Sequence, residues 1–249
     1  MRAHAGPVPE GWATQCFEMI EAQTASVHGV PGDRARATGV MRAIWPLLVG
    51  IFLGGVLIGS VLPRVPTGAA GLGLLLLAVY LVWAMRDGLR GIGAFFKGAR
   101  GEEIVAVLLE ALPRRYHVFH DVPCGAAGGI DHLVVGPTGL FVVETKHWSG
   151  AVSLDDGVIR VDGALPSRPP IAQVRATARA LAGFLEERLE AVPACVPVVC
   201  FAGDTLAGGR CAADDTVVCN ASELSDVILS RAAHLSPDEI ERIVKVMEQ

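Results

Sequence analysis

Paired cysteines, nucleotide-binding glycines and a basic surface are all missing from this sequence. The six cysteines, Cys16, Cys124, Cys195, Cys200, Cys211 and Cys219, show neither a C-x-x-C step nor a Cys/His pairing at zinc spacing. That excludes the usual zinc modules and leaves no disulfide framework, so they read as small apolar fillers in a reducing compartment. Gly88, Gly91 and Gly93 follow no strand and lead to no G-K-[ST] ending, which excludes a phosphate-cradling loop there. From residue 98 onward 13 Lys and Arg face 21 Asp and Glu. Such a balance excludes tight, non-specific coating of nucleic acid and leaves weak or guided engagement.

What the sequence has in excess is apolar surface. With 51% hydrophobic residues and a mean hydropathy of +0.45, it is more apolar than an ordinary soluble domain of 249 residues. Residues 43–62 carry no charge, nor do residues 65–85. Each run is long enough to cross a bilayer as a helix. Core helices would keep a polar stripe, and a cleaved signal peptide would not be followed at once by a second span. The short Pro63-Arg64 connection predicts a tight hairpin.

Arg34, Arg36 and Arg42 precede the first span and Arg86, Arg90, Lys97 and Arg100 follow the second, with Arg64 alone between them. The positive-inside rule then predicts a multi-pass protein of the cell (inner) membrane with both ends in the cytoplasm. No ionisable residue lies within either span, which favours an anchor over a transport pathway. Gly50-x-x-x-Gly54 and Gly55-x-x-x-Gly59 permit close helix approach, within the hairpin or between protomers of a homo-oligomer.

Around the spans the expectations are plainer. Residues 1–40 are predicted to be disordered apart from a weakly amphipathic helix over 11–23 with Trp12, Cys16, Met19 and Ile20 on one side. Because Met41-Arg42 stands immediately before the first apolar run, translation starting at Met41 is a further expectation. Residues 88–97 read as a flexible juxtamembrane connector whose basic residues lie against anionic headgroups.

The chemistry concentrates in residues 129–150. Two apolar runs, 130–135 and 140–143, flank Gly136-Pro137-Thr138-Gly139, which is hairpin turn chemistry. Side chains alternate along a strand, so Glu144 and Lys146 project together and Thr145 points away. A two-residue loop at Pro137-Thr138 sets Asp131 against Glu144, and this register is preferred. A three-residue loop with a bulge at Gly139 sets Asp131 against Thr145 instead. Two carboxylates suit a hard divalent cation, Mg2+ or Mn2+, that keeps water and phosphate oxygens as its other ligands. Such an ion polarises a phosphodiester and acidifies a bound water, while a lysine balances charge developing on phosphoryl oxygens. A salt-bridged Glu and Lys at a strand end is the plain alternative.

Ile130-Asp131-His132, Gly139-Leu140-Phe141, Glu144-Thr145-Lys146 and Trp148-Ser149-Gly150 together resemble the nuclease-related domain family, a branch of the PD-(D/E)XK nuclease superfamily. Gly98-Ala99-Arg100-Gly101-Glu102 resembles that family's G-x-x-G-E start, which implies that Glu102 adds an acidic residue to the site through water or a second ion. Gln173 matches the family's glutamine, although Pro169-Pro170 replaces the usual Asn-Pro. The resemblance implies catalytic roles for Glu102, Asp131, Glu144, Lys146 and Gln173, with metal held by Asp131, Glu144 and the Thr145 backbone carbonyl. His132 and His147 adjoin the site as candidate general bases, yet by alternation each points to the other face.

Beyond the hairpin the pattern predicts a helix over 99–112, a strand over 116–122 and a small hairpin, 151–154 with 158–161, around Asp155-Asp156-Gly157. A helix follows over 169–191 with Ile171, Val174, Ala178, Leu181, Leu185 and Leu189 as its buried side. Arg175 and Arg179 on that helix read as a solvated face or as flanks of a phosphate path. Strands at 195–202 and 216–219 precede helices over 222–232 and from 237 onward, the last opened by the capping box Ser236-Pro237-Asp238-Glu239.

The fold class expected is α/β: a restriction-endonuclease-like mixed sheet flanked by helices over 98–249, preceded by a two-helix transmembrane hairpin within 41–87. The function expected is a membrane-anchored, metal-dependent nuclease acting on nucleic acid, with DNA as the first expectation. The alternative is a catalytically inactive, membrane-tethered scaffold or nucleic-acid-binding module that keeps the fold.

Overall fold

The computed structural model describes residues 24–61, 64, 66–125 and 128–249, leaving aside the side chains of residues 61, 90 and 91. The expected helix over 11–23, with Cys16, lies outside the described residues. The described residues divide into two units, Gly32–Gly101 and Glu102–Gln249, the latter joined by residues 24–31.

The unit Gly32–Gly101 is a pair of long helices. Helix α1, Asp33–Val56, runs on into a π-helical turn, Leu57–Val61, and helix α2 spans Thr67–Glu110. Both are long and apolar enough to cross a membrane. They pack antiparallel through glycines: a Cβ on Gly50 would stand 2.6 Å from Leu81 Cδ2, one on Gly54 3.0 Å from Leu77 Cδ2, and one on Gly88 3.0 Å from the Ala43 carbonyl. The Tyr80 hydroxyl donates to the Pro46 carbonyl at 3.1 Å across the same seam. Gly50-x-x-x-Gly54 therefore serves contact inside the hairpin, whereas added Cβ atoms on Gly55 and Gly59 would meet nothing within 4 Å among the described residues.

Two expectations change here. Residues 88–97 are helical rather than frayed, because α2 continues through Gly88, Gly91 and Gly93 without a break. Gly88 is held by close packing against Ala43, and a Cβ on Gly39 would stand 2.7 Å from the Phe95 Cβ, so the helix pair continues beyond the apolar runs. Residues 24–39 are likewise not disordered: they supply strand β1, Ser26–His28, and the first turns of α1. Both features lie upstream of Met41, so those residues take part in the fold.

The second unit is a mixed sheet between helices. Its strands are β1, β2 (His117–Pro123), β3 (Gly129–Gly136), β4 (Gly139–Lys146), β7 (Cys195–Phe201), β8 (Cys211–Ala213) and β9 (Thr216–Asn220), in the order β1-β2-β3-β4-β7-β9-β8. Pairs β1-β2, β4-β7 and β7-β9 are parallel; β2-β3, β3-β4 and β8-β9 are antiparallel. The small hairpin forms a separate two-stranded sheet, β5 (Val152–Asp155) with β6 (Val158–Val161). Its turn is made by Asp156 and Gly157 at φ 50° and 75°, a left-handed pair that favours these two residue types.

One face of the main sheet is covered by α3, Pro170–Glu186, and α5, Pro237–Met247. Val174, Leu181, Leu185 and Ile243 pack there against Leu133, Leu140, Val142 and Val199. The other face meets the last turns of α2 and α4, Leu224–Leu229, where Val105, Leu109, Leu224 and Ile228 pack on Val134, Phe141, Val143 and Val198. The central strands β3 and β4 are thus buried on both sides, which is why they read as continuous apolar runs. The capping box on α5 forms as expected, Ser236 N–H donating to Glu239 Oε2 at 2.8 Å. None of the described cysteines forms a disulfide, and burial pushes Cys195 up to about 12.

Candidate functional site

The hairpin turn fixes the site. Gly136 pairs with Gly139, Val135 with Leu140 and His132 with Val143. This is the two-residue-loop register, and its continuation brings Asp131 opposite Glu144. The turn is pinned from both sides. Tyr116 Oη and Thr138 Oγ1 hydrogen-bond at 3.1 Å, and the Pro137 carbonyl accepts the amides of His234 and Leu235 at 2.9 and 3.1 Å. Gly136 is required because a Cβ there would lie 2.1 Å from the buried Tyr116 ring.

At the open end of β3 and β4 the polar groups gather. Glu144 is buried, and its Oε1 accepts from Lys146 Nζ at 2.5 Å and from Gln173 Nε2 at 2.7 Å. Lys146 Nζ also donates to Gln173 Oε1 at 3.2 Å, so the first turn of α3 bridges both strand residues. Asp131 is half-buried, and its Oδ2 accepts the Thr145 amide at 2.7 Å. Alternation delivers this arrangement: Glu144 and Lys146 leave β4 on the α3 face and Thr145 on the other.

The electrostatics are those of crowded acids. Burial pushes the Asp131 carboxyl well above the usual carboxylate range, the charges of Glu144 and Glu102 push it further, and the Thr145 N–H and Lys146 only partly oppose them. Burial also raises Glu144, against the charge and hydrogen bond of Lys146 and the hydrogen bond of Gln173. Glu102 is thus within electrostatic reach of Asp131. It does not occupy a first helical turn, since α2 begins at Thr67, so capping of the helix dipole does not account for it.

Asp131 Oδ1 and Glu144 Oε2 accept no hydrogen bond among the described residues. Two free carboxylate oxygens beside an excess of negative charge fit a hard divalent cation that takes its other ligands from water and phosphate. No group of three or more His, Cys, Asp or Glu forms a metal cage among the described residues.

Other candidates fall outside this cluster. His132 lies on the opposite face, fully buried, with Nδ1 2.7 Å from His120 Nδ1 and ring planes at 89°. Burial and His120 push it well below the usual imidazole range, so it stays a neutral core group. His120, unremarked in the sequence, is lowered to about 4 by burial and stands 3.4 Å from Glu110 through Nε2. The ladder pairing His120 with His132 is the only signal that joins them, and it appears only once β2 and β3 are in register. Arg175 neither flanks a phosphate path nor stays solvated. It clamps the β8-β9 turn through Asp215 Oδ1 at 2.6 Å, Thr216 Oγ1 at 2.9 Å and the Ala213 carbonyl at 2.8 Å.

Comparison with known families matches residues 97–202 to the nuclease-related domain. Over those residues the chain is similar to the nuclease-related domain family. The match starts within α2, ends after β7, and encloses Glu102, Asp131, Glu144, Lys146 and Gln173. An uncharacterized protein of Bacillus anthracis is 43% identical over 60 residues, 22% of this chain and 28% of the relative. The chain therefore spans well under half of that relative's length. No solved structure matches the chain.

Proposed function

We propose that this protein is a membrane-anchored, divalent-metal-dependent nuclease of the PD-(D/E)XK type that hydrolyses phosphodiester bonds, with DNA as its first expected substrate. The observation that carries the reading is the convergence of Asp131, Glu144, Lys146 and Gln173 inside a nuclease-related domain, with Glu102 in electrostatic reach. A salt bridge at a strand end would need only Glu144 and Lys146. It would not place Asp131 beside them, held above its ordinary range by burial and then by its neighbours' charge.

Mg2+ or Mn2+ bound here would polarise the phosphodiester and acidify the attacking water. Asp131 Oδ1, Glu144 Oε2 and the Thr145 backbone carbonyl would hold it, and Glu102 would act through water or a second ion. Lys146 carries the positive charge that offsets charge developing on the phosphoryl oxygens. Gln173 acts by position: bonded to both Glu144 and Lys146, it fixes the carboxylate's rotamer and holds the ammonium beside it. The two apolar helices anchor the chain in the cell membrane with the nuclease-related domain in the cytoplasm, and Gly55 and Gly59 are the face left for a homo-oligomer.

The test is cleavage of plasmid, linear duplex, single-stranded DNA and RNA by the purified full chain with Mg2+ or Mn2+, beside Asp131→Ala and Lys146→Ala. Metal-dependent cleavage lost in both variants is the expected result and identifies the polymer. Folded protein that neither cuts any of these nor binds metal by calorimetry overturns the nuclease reading in favour of a tethered scaffold.

A further inference from the structure

On the sheet face that meets α2, two imidazoles fill space that apolar side chains would ordinarily take. His120 on β2 and His132 on β3 are 3% and 0% exposed, and Val143, the cross-strand partner of His132, is buried beside them. Their Nδ1 atoms lie 2.7 Å apart with the ring planes at 89°. The Glu110 carboxylate, 3.4 Å from His120 Nε2, assigns a proton to that nitrogen, so His120 Nδ1 accepts from His132 Nδ1–H. For stability alone the pair is a poor choice. Neither Nε2 has a hydrogen-bond partner among the described residues, and a buried polar atom in that state costs free energy that two leucines would not.

What sets the pair apart is its place. The β2-β3 ladder joins Phe119 to Leu133, His120 to His132 and then Val122 to Ile130, passing over Asp121 and Asp131. Phe119, Leu133 and Ile130 all belong to the core on the α3 side, and Val122 packs against it. Strict alternation would return Val122 and Ile130 to the α2 side with the two histidines. Both strands therefore change faces at Asp121 and Asp131, and Asp121 makes the change in a left-handed backbone, φ 56°.

The β3-β4 ladder ends at the same point. Its last pair is His132 with Val143, and beyond it the Thr145 amide donates to Asp131 Oδ2 at 2.7 Å instead of to the β3 backbone. Asp131 reaches β4 through its side chain because β3 turns away there. That bond fixes Oδ2 and leaves Oδ1 as the oxygen open to a cation.

We propose that His120 and His132 are positioning residues for Asp131. Their hydrogen bond ties β2 to β3 by side chains at the step before the backbone ladder is interrupted, and so fixes the direction in which the Asp131 carboxylate leaves the strand. Glu110 braces the pair from the end of α2 by setting the His120 tautomer. The role of Asp131 as a metal ligand rests on the function proposed above, but its placement can be measured without metal.

The experiment compares the full native chain in detergent with His120→Leu/His132→Leu, whose side chains are of similar size, and with His132→Asn, whose amide stands near the position of Nδ1. Exchange of the Thr145 backbone amide is followed in metal-free buffer by mass spectrometry with single-residue fragmentation, and Mg2+ affinity by calorimetry. The double variant is expected to keep native exchange at Val142 and Val199, which shows that it is folded. Its Thr145 amide should exchange about tenfold faster, as for the loss of one hydrogen bond to a carboxylate. Its Mg2+ affinity should fall by at least about tenfold, whereas His132→Asn stays within about threefold of native in both measurements. Native exchange at Thr145 in a folded double variant, or a rise shared equally by Val142 and Val199, overturns the proposal. If the double variant does not fold, His132→Gln decides it, because glutamine carries its amide past the Nδ1 position: equal Thr145 exchange in the Asn and Gln variants overturns the proposal. A native chain that binds no cation while Thr145 exchange responds as expected removes the metal reading and leaves the positioning of Asp131 standing.

Discussion

Replacing Lys146 by methionine tests the central arrangement through stability, without any substrate. The lysine head and the Glu144 carboxylate lie 2.5 Å apart with side chains only 17% and 4% exposed. Methionine keeps most of the stem but removes the charge, leaving Glu144 with Gln173 as its remaining hydrogen-bond donor. Stranding one member of a buried pair costs about 3–5 kcal/mol, which is roughly 10 °C of melting temperature for a unit of this size. The double variant Glu144→Gln/Lys146→Met removes the orphaned charge and recovers most of that loss.

The pH dependence has a defined sign. Burial already raises Glu144, and losing Lys146 removes the two largest opposing influences, so its folded-state value climbs further. A carboxylate raised on folding stabilises the native state below its unfolded value and loses that contribution as pH rises through the folded one. The deficit of Lys146→Met is therefore largest in alkaline solution and shrinks as pH falls toward the ordinary carboxylate range. The assay is thermal unfolding of the full chain in detergent, followed through the Trp148 environment, at several pH values. A pH-independent loss, or a double variant no more stable than the single one, refutes the claim that Lys146 compensates a buried charge.

Further outcomes are expected elsewhere. Asp131→Asn keeps an oxygen to accept the Thr145 amide but relieves the charge crowding, so metal-free protein should melt higher at neutral and alkaline pH. In the same variant Mg2+ affinity by calorimetry should fall by at least about a hundredfold. Gly136→Ala drives a methyl into the Tyr116 ring, and denaturation should show a loss of about 1–3 kcal/mol. In an Ala43→Cys/Gly88→Cys background, whose backbones are in contact, Gly50→Leu should lower the yield of the interhelical crosslink on a gel while Gly55→Leu leaves it unchanged.

Much of the site was legible because strand periodicity carries it. Glu144 and Lys146 are two residues apart, so they share a face in any sheet, and Pro137-Thr138 between glycines selected the turn that aligns Asp131. Glu102 and Gln173 entered through resemblance, because nothing local in 99–112 or 169–191 says which strand those helices cover. The fate of residues 24–39 was not legible. Ser26–His28 forms a strand only because the edge of β2 is open to it, pairing parallel across about ninety residues of chain. Gly88, Gly91 and Gly93 misled in the opposite direction: their low helix propensity is overridden where Gly88 packs against Ala43.

The division follows the range of the forces. Sequence alone determined what depends on neighbours within a turn or a strand: two apolar runs long enough to span a bilayer, the hairpin register, the alternation of Asp131, Glu144 and Lys146, and the cap on the last helix. Only the tertiary structure decided that Gln173 bonds both Glu144 and Lys146, that Glu102 raises Asp131, and that Arg175 serves a turn instead of a substrate. It also buried His132 against His120. Those outcomes turn on burial and on charges brought together across long stretches of chain. A hydrogen bond or a displaced carboxyl titration is set by which groups share a desolvated space, which no local spacing encodes.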